Sequence, residues 1–126
     1  GSAVDGDLRT RSHTACAWNT DLWYKMKFDA VYCFSHIGII QSQLNDYAKR
    51  MDDTKVFVIN TQTGVEGLCG VLKVVAGETI LKQTYSIPCD WKCGDEVKLT
   101  LRHDTGQYDY NACIHMREIM AFTTGW

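Results

Sequence analysis

His115 and Arg117 stand two residues apart near the C-terminus, and His103 follows Arg102 at the end of an alternating run. Such groups suit phosphate chemistry. An imidazole can take and return a proton near neutral pH, and a guanidinium can neutralise an oxyanion. His115 and Arg117 share one face of an expected last strand, which could hold a phosphate. A solvated strand face accounts for that pair equally well. His103 falls on the apolar parity of its strand, at the end, where it can reach water. His13 and His36 are isolated from the others.

The six cysteines are Cys16, Cys33, Cys69, Cys89, Cys93 and Cys113. Cys89-x-x-x-Cys93 could begin a zinc site, but a structural site needs four ligands, commonly in two close pairs, and no second pair exists. The spacing is not Cys-x-x-Cys, and no helix obviously starts there to lower a thiol pKa. An even set in a small domain reads instead as a disulfide framework made in an oxidising compartment. Six cysteines allow fifteen pairings, which the residues alone leave open. No metal and no cofactor are expected.

Carboxylates do not converge. Asp52 with Asp53, and Asp104 with Asp109, fall in expected turns, where Asp is favoured for local hydrogen bonding. Gly64, Gly67 and Gly70 follow a strand without a helix after them, so the dinucleotide reading fails. Most aromatic residues are assigned to the core. Trp91, Tyr108 and Tyr110 are the exceptions, because they sit among polar turn residues. Exposed rings of this kind stack bases or anchor a protein partner.

These residues need elements to hold them. Residues 1 to 22 read as a loose polar arm and 23 to 126 as a single domain. "WYKMKFDAVYC" alternates Tyr24, Met26 and Phe28 against Lys25, Lys27 and Asp29, which predicts a half-buried strand. Ile37, Ile40, Leu44, Ala48 and Met51 recur at three and four residues, which predicts one amphipathic helix over 35–51. Ser35 is its expected N-cap, and Lys49 and Arg50 suit its C-terminal end. "KVFVIN" and "LCGVLKVVA" read as strands, and "AGET" as a turn into "TILKQTYSI". Val97, Leu99 and Leu101 alternate with Glu96, Lys98, Thr100 and Arg102. "HDTGQYDYN" is a loop, and "ACIHMREIMAF" closes the sheet. The fold class expected is α+β, with one main helix packed on a curved, disulfide-stabilised antiparallel sheet.

A chain of 126 residues that is 45% hydrophobic can build a real core. Its net charge of −2 lacks the basic excess of a strong phosphate-backbone binder. No stretch is apolar enough to span a membrane. The Gly1-Ser2 start is expected of a scar ahead of a mature chain that has lost a signal peptide.

The order "VYCF", helix, "VFVIN", "TYSIP", "DEVKLTLRHDTGQ" and a last strand with Cys113 resembles the small secreted guanine-specific ribonucleases of fungi. It is still more similar to their RNase-like effector descendants in plant pathogens, the RALPH type. The resemblance implies a bridge between Cys33 and Cys113. It also implies a dismantled catalytic site. No His stands on "VFVIN", Gln83 and Thr84 occupy the place of a catalytic Glu, Glu96 stands near that of an Arg, and only His115 matches the final His. What it implies is a secreted, monomeric, non-catalytic virulence or avirulence effector, of a kind that can be translocated into host cells. Its partner would be a host protein, a plant immune receptor or RNA, met by loops carrying Glu66, Trp91, Tyr108 and Tyr110. The alternative is an active small secreted ribonuclease or toxin using His115, with His103 and Arg102 or Arg117 assisting. A small-ligand carrier is a third reading.

Overall fold

The computed structural model describes residues 3–4, 9–13, 16–42, 46–74 and 84–123. Its strands are β1 (Ala3–Val4), β2 (Arg9–His13), β3 (Leu22–Gln41), β4 (Thr54–Asn60), β5 (Val65–Leu72), β6 (Thr84–Leu101) and β7 (Met116–Phe122). A six-residue 3-10 turn, Asp46–Met51, lies between β3 and β4. All pairings between strands are antiparallel, in the order β1-β7-β3-β6-β4-β5 with β2 also on β3.

The expected α+β class is therefore corrected: no α-helix occurs among the described residues, and the helix expected over 35–51 is strand as far as Gln41. The apolar residues there satisfy two periods at once. Ile37, Ile39 and Gln41 are buried on one face at a period of two. Ile37, Ile39 and Ile40 are β-branched and stiff at χ1, and Gly38 between them disfavours helix. Ser35 does not cap a helix; its hydroxyl donates to the Phe122 carbonyl at 3.2 Å. Leu44 lies outside the described residues, as do the "AGET" turn and the start of "TILKQTYSI".

β3 and β6 are the frame, with 20 and 18 residues. Straight strands of that length would run about 60 Å. Both bend instead, and their mutual register breaks between Lys27 and Tyr32 and again between Phe34 and His36. The first half of β3 and the second half of β6 join β2, β4 and β5 in a five-stranded layer. The other halves join β7 and β1. Both layers feed one core, with Leu22, Met26, Val56, Val58, Val97 and Leu99 from the first and Ile37, Ile39, Tyr85, Ile87 and Ala121 from the second. The molecule is thus a sheet folded over on itself, with a folded end at the bends and an open end opposite.

All six cysteines are bridged, as Cys16–Cys113, Cys33–Cys93 and Cys69–Cys89. The implied Cys33–Cys113 bridge is corrected by register. Cys33 lies directly opposite Cys93 at the bend, where Cβ atoms come within bridging reach. Cys113 sits at the open end beside the Ala17–Ala112 bridge, next to Cys16. Cys69–Cys89 ties the edge strand β5 to the first half of β6. Three disulfides fit an extracellular or secreted protein.

At the folded end Asp95 is buried and accepts from the Thr61 amide at 2.8 Å, the Thr61 hydroxyl at 2.6 Å and the Lys27 ammonium. Burial alone would raise its pKa. The bonds from Lys27 and Thr61 outweigh burial and hold the carboxyl well below the usual range. A depressed folded pKa gives stability that is full above the unfolded value near 4 and is lost as pH falls below it. Asp95→Asn is expected to cost about 2–3 kcal/mol at pH 7. It should also flatten the loss of stability below about pH 4, as read by urea unfolding at pH 7 and pH 3.

Candidate functional site

β3, β4 and β6 run side by side in the five-stranded layer, and their register forms rows across it. Trp23, Thr100 and Lys55 make one row, and Lys25, Lys98 and Phe57 the next. Successive strand residues point to opposite faces. Leu22, Val56, Val97, Leu99 and Leu101 fill the core, which leaves the row residues outside.

Two adjoining hollows lie on this outer face. One, of about 430 Å³, is lined by Asp21, Asp53, Lys55, Thr100, Arg102, Gln107 and Tyr108, along with Leu101. The other, of about 380 Å³, is lined by Asp21, Leu22, Trp23, Lys25, Lys98 and Thr100. They share Asp21 and Thr100, so together they form one trough whose lining includes two aromatic rings, Tyr108 and Trp23. Arg102 stands in it, held from two sides. Its Nε donates to Asp104 at 2.9 Å and its Nη1 to Asp21 at 3.2 Å. Asp104 first, then Asp21, pulls the guanidinium pKa further up, and the two bonds orient it.

The Tyr108 part of the trough is built on His103. This histidine is fully buried, with Nε2 2.7 Å from the Asp52 carbonyl and Nδ1 3.3 Å from the Tyr110 carbonyl. The Tyr108 ring stacks on it with centroids 3.8 Å apart, and Tyr110 meets it edge-on at 5.3 Å. Burial raises the Tyr110 pKa, with Asp52, Asp53 and Asp109 adding to it. The Lys49 ammonium lies 4.9 Å from the Tyr110 ring centroid. His103 is thus a post that shapes the loop 102–111.

The remaining expected site residues are scattered. His115 precedes β7, and its carbonyl accepts from the Ser42 amide and hydroxyl. Arg117 is exposed on β7, in the other layer from His103. Glu66, on β5, holds Lys98 at 3.0 Å beside the trough. Trp91 is 53% exposed at the folded end, between Cys89 and Cys93, and both Asp90 and Trp91 have positive φ. Asp21, Trp23, Lys55, Thr100 and Gln107 gave no signal in the sequence as site residues. They come from segments far apart in the chain, and only the register unites them.

No protein-family model matches the chain, and no curated protein matches its sequence. Solved structures do. A Streptococcus pneumoniae fucose binding module, SpX-3, superposes with a TM-score of 0.72 at 11% identity, covering 98% of this chain and 99% of that one. The chain has the β-sandwich fold of such modules. The lectin domain of lectinolysin, solved with Lewis B antigen, gives 0.67 at 13% identity, over 92% of this chain and 72% of that one. The family 32 carbohydrate-binding module of Clostridium perfringens NanJ, solved with galactose, gives 0.57 at 15% identity, over 82% and 67%. These likenesses overturn the resemblance to fungal ribonucleases and their effector descendants, and with it both the effector and the ribonuclease readings. They give no support to a host protein, an immune receptor or RNA as partner, nor to entry into host cells. No helix among the described residues is long and apolar enough to cross a membrane.

Proposed function

We propose that this sandwich is a glycan-binding module whose site is the trough lined by Tyr108 and Trp23. A sugar presents hydroxyls that both donate and accept, together with apolar C–H faces. Planar carboxylate, guanidinium and amide groups take adjacent hydroxyls in pairs, and an aromatic ring takes the C–H face. The trough offers Asp21, Arg102 and Gln107 for the first task and Tyr108 and Trp23 for the second. The observation that carries the reading is Arg102, set in the trough by two carboxylates before any ligand arrives. Preorganisation of this kind lowers the cost of binding. The solved structures it resembles include proteins crystallised with Lewis B antigen and with galactose, which supports the same reading.

The test is a panel of immobilised oligosaccharides followed by calorimetry. The intact domain is expected to bind saccharide, and Arg102→Ala to weaken binding about 10- to 100-fold through loss of charge-assisted hydrogen bonds. Tyr108→Leu, which keeps an apolar cover over His103, should weaken it about 5- to 20-fold with little change in melting temperature. Saccharide binding that is indifferent to both substitutions would place the site elsewhere.

A further inference from the structure

The same trough carries more positive charge than a site for neutral sugar needs. Its walls hold Lys25, Lys55, Lys98 and Arg102 against Asp21 and Asp53, four cations to two anions. The chain as a whole carries −2. The excess is therefore local, and register concentrates it further. Lys25 lies directly opposite Lys98 on the neighbouring strand. Like charges directly opposite on adjacent strands destabilise a sheet.

Some of these charges are answered within the fold. Lys98 is taken by Glu66, Lys27 by Asp95, and Arg102 by Asp21 and Asp104. Asp53, one of the two trough anions, is itself taken by Lys73. Lys25 and Lys55 have no ion pair among the described residues. The Lys25 ammonium rests 5.0 Å from the centroid of the Trp23 ring, a contact that places it without neutralising it. Lys55 is exposed two strands away, about 9–10 Å across the sheet. A ring platform with an unneutralised ammonium over one of its faces, and a second ammonium across the trough, matches a sugar bearing an anionic substituent.

We propose that the trough selects acidic oligosaccharides, whose sulfate esters or uronate carboxylates seat against Lys25 and Lys55 while a sugar ring packs against the part of Trp23 that Lys25 leaves uncovered. This rests on the glycan-binding reading and names the class of glycan. Calorimetry on the intact domain at 50 and 300 mM NaCl tests it with four probes: a chondroitin sulfate hexasaccharide, hexagalacturonic acid, neutral galactohexaose and a single-stranded hexaribonucleotide. At least one acidic saccharide is expected to bind tenfold or more tightly than galactohexaose at 50 mM salt, with the gap shrinking at 300 mM as the charges are screened. The chondroitin probe carries uronate carboxylates as well as sulfates, and hexagalacturonic acid carries carboxylates alone. Equal or tighter binding of the second therefore shows that carboxylate suffices, and a preference for the first shows that sulfate is read. Lys25→Gln with Lys55→Gln should bring the acidic affinity down to the neutral one. Lys92→Gln removes the same charge at the folded end and should keep the preference. Equal affinity for neutral and acidic saccharides would overturn this inference and leave the glycan reading standing. Hexaribonucleotide binding as tight as that of the acidic sugars would show an unselective cation strip and overturn it too. Absence of binding to every saccharide would overturn both.

Discussion

Full reduction of the disulfides is expected to abolish the cooperative thermal transition of this domain. The bridges Cys16–Cys113, Cys33–Cys93 and Cys69–Cys89 close spans of 97, 60 and 20 residues. Chain entropy assigns about 4–5 kcal/mol to the longest and about 3 kcal/mol to the shortest. The spans overlap, so these figures do not add. Even one of them is comparable to the whole net stability of a small domain, about 5–15 kcal/mol. Each bridge also holds a distinct junction. Cys16–Cys113 fastens the open end, Cys33–Cys93 the bend of β3 and β6, and Cys69–Cys89 the edge strand over the core. Circular dichroism of the reduced and alkylated chain should show no sigmoidal melt, and Cys16→Ser with Cys113→Ser alone should cost about 4–5 kcal/mol. A melting temperature unchanged by reduction would mean that the strands hold the sandwich unaided.

Gly94→Ala is expected to be the most damaging single substitution at the folded end. A Cβ built at Gly94 would lie 2.3 Å from the Ile59 carbonyl oxygen and 2.7 Å from its carbon. Neither side can retreat cheaply. Ile59 is paired with Glu96 on one side and Glu66 on the other, and Gly94 is paired with Tyr32 one residue from the Cys33–Cys93 bridge. A clash with fixed backbone costs about 3 kcal/mol or more. Gly64 gives the contrast. It has open space around it but a φ of +77°, so Gly64→Ala should cost only about 1 kcal/mol of backbone strain. Urea unfolding of the two variants measures the difference. A Gly94→Ala protein within 0.5 kcal/mol of wild type would contradict the close approach of β6 to β4.

Individual strands were legible in the residues, while their assembly was not. Val97, Leu99 and Leu101 face the core and Glu96, Lys98 and Thr100 face out, as their alternation predicts, and Met26 and Phe28 are buried while Lys25 and Lys27 are not. The stretch after Cys33 is ambiguous in the sequence because Ile37, Ile40 and Leu44 fit a helical stripe as well as Ile37 and Ile39 fit a strand. What separates the two readings is the bend before it. A strand that changes register at Phe34 and His36 restarts its parity, and no local pattern announces that. The helical reading carries with it the likeness to an unrelated α+β family, and that likeness carries the Cys33–Cys113 pair that the register excludes. Tyr108 was marked as displayed by its loop, and it does line the trough. In the sequence, Arg102 reads only as an aid to phosphate chemistry. Asp21, Trp23 and Lys55 reach the site through cross-strand register alone. One signal was available: Lys25 and Lys98 both occupy polar parity positions on neighbouring strands, and such a pair asks for an anion.

The most direct test of the central claim is an amide and indole chemical-shift titration of the labelled domain, with galactohexaose and the chondroitin sulfate hexasaccharide added in turn. Saturable shifts are predicted at the Trp23 indole and at the amides of Lys25, Thr100, Arg102, Gln107 and Tyr108. Shifts confined to Trp91 and the bend around Cys33 and Cys93, or to Arg117 on the other layer, would contradict a glycan site on the outer face of the five-stranded layer.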